Sequence, residues 1–456
     1  MKFTLFALLA ACTAPLVAAE KPNIVVVLID DMGWGDFSCF GNKEAKTPNI
    51  DRLASEGLRF RQFYVNSPIC SPSRCALTTG QYPQRWKITS FLENRVGNER
   101  RGMAQWLDPE APTLARFLQS AGYVTGHFGK WHLGGQRDVD DAPPITRYGF
   151  DMSLTNFEGM GPKLLPLTLK PGDETPGKIW QDAKRLGGPV TWMQRSKITR
   201  GFVDAAIPFI DAAARERKPF FINLWPDDVH SPFWPPVDKW AEGKRGMYLA
   251  VLQEMDRQLG KLFDHIRDTP ALRDNTIVVV FSDNGPEPGA GSAGPFRGVK
   301  GTLREGGIRS PLIVWTPGLM AGAKKGVVNE TSVFAAFDLA PSLLKLAGTE
   351  APAGTNFDGE DLSATLLGKS EASRKGAIFW RRPPDRKFTG EAKKIAQPDL
   401  AVRDGKWKLL VNADGTGTEL YDVAADPTEA ADASAANPDV VRRLSAMAVG
   451  WRRSLP

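Results

Sequence analysis

The strongest constraint on the fold is the run NIVVVLI at 23–29, which after Asn23 is wholly apolar, mostly β-branched and free of polar alternation. A run of that kind is buried on both faces, the condition of a central parallel strand covered by helices. It stops at Asp30-Asp31-Met32-Gly33. A second such run, TIVVVF at 276–281, stops at Ser282-Asp283-Asn284-Gly285. Open α/β sheets bind ligands at the carboxyl ends of their strands, where both acidic pairs fall.

The segments between follow the same logic. Thr47-Pro48 opens a helix that Gly57 stops, with Thr47 as N-cap. Thr113 caps a second helix, which presents Leu114, Phe117, Leu118 and Ala121 on one face and closes at Gly122. A strand from Tyr123 leads to Gly129-Lys130-Trp131-His132. A helix over 202–214 precedes a strand at 220–225, which feeds Asp227-Asp228-Val229-His230. A helix over 247–266 and a strand at 311–315 continue the alternation. Helices alternating with β-branched runs predict an α/β fold around a large, mixed, mostly parallel sheet. From about residue 373 the pattern changes to short strands (377–380, 400–403, 406–412), with Asp404-Gly405 as a hairpin turn and a final helix near Asp439. A smaller antiparallel sheet with one helix is expected there. The domain reading is therefore a leader over 1–19, a catalytic unit over 20–372 and a C-terminal α+β unit over 373–456.

The first residues read as a secretory signal peptide. Lys2 is followed by the apolar stretch 3–9, and Val17-Ala18-Ala19 offers a cleavage site before Glu20. Export to the periplasm or outside the cell is expected. Leu9-Ala10-Ala11-Cys12 resembles a lipoprotein box, but the leader before Cys12 is short for lipid anchoring. The mature chain then holds Cys39, Cys70 and Cys75, an odd number that builds no disulfide framework. Apolar residues make up 42% of the chain and the net charge is only +6, which excludes a disordered chain. No apolar run long enough to span a membrane follows the leader. Export and the absence of a binding motif exclude a nucleic-acid partner.

Asp30, Asp31, Asp283 and Asn284 can be read as turn caps. As two pairs, each ending a central strand, they read better as an all-oxygen site for Ca²⁺ or Mg²⁺. The segment Cys70-Ser71-Pro72-Ser73-Arg74-Cys75-Ala76-Leu77-Thr78-Thr79-Gly80 resembles the signature of type I sulfatases, in the alkaline-phosphatase superfamily: Cys, any residue, Pro, Ser, Arg, four residues, Thr-Gly. Further blocks of that family stand in order around it: Asp30-Asp31, Gly129-Lys130-Trp131-His132-Leu133-Gly134, Ser282-Asp283-Asn284-Gly285 and Lys300-Gly301-Thr302-Leu303-Arg304-Glu305. Arg403-Asp404-Gly405-Lys406-Trp407-Lys408 and Glu419-Leu420-Tyr421-Asp422 resemble its C-terminal end.

The resemblance implies a sulfuric ester hydrolase in which a modifying enzyme oxidises Cys70 to formylglycine. One hydroxyl of the hydrated aldehyde attacks sulfur and forms a sulfo-enzyme, and the other then expels sulfate. The metal set becomes Asp30, Asp31, Asp283 and Asn284 together with residue 70. Arg74 holds the diol, Lys130 and Lys300 bind sulfate oxygens, His132 takes the second hydroxyl's proton and His230 protonates the leaving alcohol. Asn156 is expected to touch sulfate, whereas His127 and His265 read as structural. The substrate expected is a sulfated carbohydrate. The basic residues between Arg374 and Lys394 form either a solvated hairpin or a rim that steers a polyanion. Two alternatives stay open: a phosphate or phosphonate ester hydrolase of the same superfamily, and an inactive relative that binds sulfated glycans.

Overall fold

The computed structural model describes residues 21–135, 139–156, 158–320, 325–385 and 398–456. The leader over 1–19, Cys12, and the basic residues Arg386, Lys387, Lys393 and Lys394 lie outside them. In chain order the strands are β1 (Asn23–Ile29), β2 (Leu58–Tyr64), β3 (Val124–Gly129), β4 (Met152–Leu154), β5 (Lys163–Thr168), β6 (Gly177–Lys178), β7 (Val190–Gln194), β8 (Phe220–Trp225), β9 (Thr276–Ser282), β10 (Arg309–Trp315) and β11 (Val327–Ala335). Four more follow: β12 (Ile378–Arg381), β13 (Leu400–Asp404), β14 (Trp407–Val411) and β15 (Glu419–Asp422).

Eight strands form the main sheet in the order β11-β2-β10-β9-β1-β8-β3-β4. Neighbours pair in parallel except around β10, which runs against both β2 and β9. All seven residues of β1 are buried, as a strand covered on both faces must be. Alternate β1 residues enter two separate apolar cores, Ile24, Val26 and Leu28 on one face and Val25, Val27 and Ile29 on the other. The helices Ile198–Arg215 and Gly243–Asp268 start four residues before the spans expected from their apolar periodicity and end one and two residues after them.

Two local expectations need correction. Thr47 stands at the N-cap position, but its hydroxyl donates to Asp51 Oδ1 (3.1 Å). The backbone N–H groups of Asn49 and Ile50 donate instead to the Asp256 carboxylate of the helix Gly243–Asp268, at 3.2 and 2.9 Å. A carboxylate from a packed neighbour has replaced the local cap. In the C-terminal hairpin the turn is Gly405-Lys406, because Asp404 still pairs with Trp407. Gly405 takes φ +58°, which a residue with a side chain rarely adopts.

The C-terminal sheet β12-β13-β14-β15 is antiparallel. One face sends Ile378, Trp380, Ala401, Leu410 and Tyr421 into the main core. The other, with Leu400, Val402, Leu409, Val411 and Leu420, is covered by Leu444 and Ala448 of the helix Pro438–Arg453. A third sheet, β6-β5-β7, was not anticipated: β5 carries a proline and β6 is two residues long. Of the basic stretch, Arg374 is buried in an ion pair with Asp338 (2.5 Å), and Arg382 pairs with Asp399 (3.0 Å). Arg374 is therefore a structural charge, not a steering one. No described helix is long and apolar enough to cross a membrane.

The seam between the two large sheets holds a buried ion cluster. Lys408 Nζ donates to Glu305 Oε1 and Glu429 Oε1, both at 2.9 Å, and all three side chains have no exposed surface. Burial alone would raise the Glu305 carboxyl, but Lys408, with Arg309 and Arg403, holds it at about 2. Lys408→Met would leave two carboxylates facing each other out of water. The expected loss is about 3 kcal/mol of stability, read as a lower denaturation midpoint. An unchanged midpoint would show that Arg309 and Arg403 suffice.

Candidate active site

Five chain segments converge at the carboxyl edge of the main sheet. β1 delivers Asp30 and Asp31, β9 delivers Asp283 and Asn284, and β3 runs into Lys130 and His132. His230 follows β8, and Lys300 lies on the connection from β9 to β10. Cys70 is the first residue of the helix Cys70–Thr79, which follows β2 and ends at Gly80, whose N–H donates to Ala76 O (2.8 Å). The order of the chain scatters these residues, and the parallel sheet gathers them.

The backbone is shaped for the purpose. Gly129 takes φ +124°, and a Cβ there would lie 2.1 Å from the Trp225 carbonyl oxygen, so only glycine fits. That closeness lets the Lys130 N–H donate to the same oxygen (2.9 Å). Asp31 and His132 hold φ of 59° and 57°, a cost for residues with side chains that persists where the surroundings over-determine it.

Three carboxylates face three cations, all buried. Arg74 donates from Nε and Nη2 to Asp283 Oδ2 (3.0 and 2.9 Å) and from Nη1 to the Lys130 carbonyl (2.8 Å). Lys130 Nζ donates to Asp30 Oδ2 (2.7 Å) and Lys300 Nζ to Asp31 Oδ2 (2.6 Å). Burial would raise the Asp30 carboxyl, but Lys130, helped by His230, Arg74 and Lys300, holds it well below the usual range. Asp283 goes the other way: burial and the neighbouring Asp30 charge push it up, and Arg74 only partly offsets them. Burial also raises the Cys70 thiol, against the pull of Lys130 and Lys300.

The two histidines differ. His132 Nε2 lies 2.9 Å from the Leu92 carbonyl, which accepts only, so Nε2 carries the proton and Nδ1 the lone pair. Nδ1 sits 3.3 Å from Glu158 Oε2. Burial pushes His132 down to about 3, with Glu158 opposing, so the ring is neutral. His230 is partly exposed; its Nδ1 donates to the Ser231 carbonyl (2.7 Å) and Nε2 lies 3.5 Å from Asp31 Oδ2.

Asp30, Asp31 and Asp283 each offer an oxygen within 4.8 Å of the others. Asp30 Oδ1 and Asn284 Oδ1 are buried and have no hydrogen-bond donor among the described residues. Asn284 turns its Nδ2 toward Asp31 Oδ1 (2.8 Å). Unmade buried acceptors cost free energy, and a hard cation between these oxygens would satisfy them. The four oxygen-bearing residues named from the sequence therefore fit such an ion.

Cys70, Lys130, His132, His230 and Lys300 line one cavity of about 510 Å³. Arg74 is not among its lining residues, and its guanidinium braces Asp283 and β3. Asn156 was expected to touch sulfate. It is buried and donates from Nδ2 to Asp227 Oδ2 (2.6 Å), behind that carboxylate and away from the lining. His127 is buried among Trp131, Trp225 and Phe150, and His265 pairs with Asp211, both outside the cavity. Cys39, Cys70 and Cys75 are free thiols. Sequence reasoning missed Glu158, Phe91, Glu93, Trp180 and Glu287, which also line the cavity. They lie on irregular segments with no periodicity to single them out.

Comparison with known proteins fits this geometry. The sulfatase family model matches residues 22–349, and the model for the C-terminal region of N-sulphoglucosamine sulphohydrolase matches 299–446. Human arylsulfatase A is 32% identical over 432 residues, which cover 92% of this chain and 80% of that protein. The crystal structure of Ps i-CgsB in complex with k-i-k-neocarrahexaose superposes with a TM-score of 0.75 at 26% identity, covering 93% of this chain and 91% of that one. A protein of glycosaminoglycan metabolism from Bacteroides thetaiotaomicron gives 0.74 at 27% identity, covering 94% and 98%. A family match over most of the chain, with relatives aligned nearly end to end, leaves one assignment: the chain belongs to the sulfatase family, within the alkaline-phosphatase superfamily, and is a sulfuric ester hydrolase.

Proposed function

We propose that this chain hydrolyses the sulfate ester of a carbohydrate, using a formylglycine made from Cys70 and a Ca²⁺ or Mg²⁺ ion held by Asp30, Asp31, Asp283, Asn284 and the modified residue 70. The observation that carries the reading is a buried Cys70 sharing one cavity with Lys130, Lys300, His132 and His230 beside the carboxylate cluster. Two of the similar structures support the substrate class, one by its bound neocarrahexaose and one by its part in glycosaminoglycan metabolism. Export through the leader at 1–19 would bring the chain to such polymers, and a modifying enzyme would have to act on it.

The cation would supply charge neutralisation of the sulfate oxygens and polarisation of sulfur. The modified residue 70 would supply the attacking hydroxyl and a second hydroxyl on the same carbon. The unmodified thiol is a poor substitute, because burial keeps it protonated. Lys130 and Lys300 bring two ammonium groups to the sulfate as point charges. His132 is neutral with its lone pair on Nδ1, so Nδ1 is the atom that takes up a proton. Glu158 Oε2, 3.3 Å away, stabilises the imidazolium that results. His230 has Nδ1–H engaged with the Ser231 carbonyl, so Nε2 is the atom that would pick up a proton and pass it to the leaving alcohol. Burial, with the Lys130 and Lys300 ammonium groups, lowers the ring's affinity for that proton, and the Asp31 carboxylate 3.5 Å from Nε2 only partly offsets them. Arg74 keeps Asp283 in place.

Mass spectrometry of the peptide containing Cys70 should show loss of sulfur and gain of an aldehyde or its hydrate. Cys70→Ala should lower sulfate release by about 10³-fold or more, in every expression host. Multiple-turnover release by that variant would refute the nucleophile.

Metal analysis of the purified protein should find about one hard divalent ion per chain. Chelation should abolish sulfate release, and added Ca²⁺ or Mg²⁺ should restore it. Asp283→Ala should lose the ion. Stoichiometric zinc at an Asp283→Ala-sensitive site would overturn the metal assignment.

A further inference from the structure

The charged floor of the cavity accounts for a sulfate group but not for two aromatic rings in its wall. Phe91 and Trp180 line the same space as Cys70, and both are half-buried. Each is backed by a guanidinium. Arg101 lies over the Phe91 ring at 4.7 Å from its centroid, and Arg195 over the Trp180 ring at 5.3 Å.

Both guanidinium groups are fixed in turn. Arg101 pairs with Glu93 (3.0 Å) and Asp385 (2.9 Å), and Arg195 pairs with Asp227 (2.6 Å). Their side chains are nearly buried, so the rings behind which they sit are held in position and not left to swing. Trp180 also takes φ of 57°, an outlier for so large a residue. The surrounding structure thus holds an indole at the cavity wall at a backbone cost. Neither ring can serve a sulfate ion, which wants donors and cations. An aromatic face suits a leaving group with an apolar face of its own.

The carboxylate of Glu93 lies in the same wall and is about one-third exposed. It accepts hydrogen bonds and donates none. A leaving group that meets it well carries hydroxyl donors as well as an apolar face. A plain aryl group has the face without the hydroxyls. A pyranose has both, C–H bonds on its face and hydroxyls at its edge.

We infer that Phe91 and Trp180 are specificity-determining residues, and that the leaving group they select is a pyranose whose C–H face stacks on Trp180 while a ring hydroxyl donates to Glu93. The inference rests on the reading of this cavity as the sulfate ester site. It places leaving-group recognition on the loop before the helix Arg95–Arg100 and on the turn after β6, apart from the groups that meet sulfate.

The test measures sulfate release by the purified, modified enzyme from a panel of monosulfated pyranosides and sulfated oligosaccharides, with 4-nitrophenyl sulfate beside them. Inorganic sulfate serves as a competitive inhibitor that reports the floor alone. On the saccharide the wild type handles best, Trp180→Ala should lower kcat/KM by about tenfold or more, mostly through KM. Trp180→Phe should recover most of that loss, and Glu93→Gln should show a smaller KM rise. The inhibition constant of sulfate should stay within about twofold of wild type in all three variants. An unchanged KM in Trp180→Ala would overturn the inference, as would a parallel rise in the sulfate inhibition constant, which would make Trp180 a structural residue. Release from 4-nitrophenyl sulfate but from no saccharide would overturn the pyranose and leave the sulfatase reading intact. Release from no ester at all would instead sink the proposed function.

Discussion

The structure depends on a balance of buried charge. Asp30, Asp31 and Asp283 stand against Arg74, Lys130 and Lys300 with almost no surface exposed to water. Any one of these charges left alone would be prohibitive, so each must be placed within reach of a partner. Arg74 does most of the placing. Its guanidinium joins the helix Cys70–Thr79 to Asp283 at the end of β9 and to the backbone of Lys130 beyond β3, and lies 5.2 Å over the ring of Trp225 at the end of β8. Asp283 is already pushed toward its protonated form by burial and by Asp30. Without the guanidinium two carboxylates would confront each other in the interior. The left-handed backbone at Asp31 accompanies the same requirement, since a side chain that must meet its partner leaves little choice of φ.

The C-terminal sheet takes part in this arrangement, although none of its described residues lines the cavity. Glu305 begins a short helix five residues after Lys300 and is gripped by Lys408 of β14, Tyr64 of β2 (2.7 Å) and Arg309 of β10 (3.1 Å). Arg304 pairs with Glu419 of β15 at 2.8 Å. The connection that carries Lys300 is thus anchored from below by one buried and one part-buried ion pair to the last two strands. A sheet that looks like an appendage in the chain order sets where the Lys300 ammonium in the cavity can be.

How much of this was legible in the sequence follows from where each residue sits. The β-branched runs of β1 and β9 announced themselves, and so did the acidic residues at their ends, because a strand buried on both faces has no reason to stop at a polar pair. The helix Cys70–Thr79 and the blocks around Lys130 and Lys300 were visible as ordered motifs. Thr47 was misread because its helix is capped by Asp256, some two hundred residues away, and no local pattern encodes that. Asn156 was misplaced and Glu158 overlooked for one reason: they share an irregular segment after β4, where spacing gives no facing direction. The sheet β6-β5-β7 was invisible because proline and glycine break the alternation that marks a strand.

These failures share a physical cause that bears on function. The floor of the cavity is built from residues at strand ends and at a helix start, whose positions the main sheet fixes. Its wall is built from Phe91, Glu93 and Trp180, on connections held by cation–π contacts to Arg101 and Arg195 and by the Glu93–Arg101 ion pair. A substitution on the floor disturbs the buried charge balance and hence the fold. A substitution in the wall disturbs at most a half-exposed ring and its guanidinium. Under the proposed reading, the wall can therefore change its leaving group without cost to the floor, and recognition of the alcohol is free to vary where the chemistry of the sulfate is not.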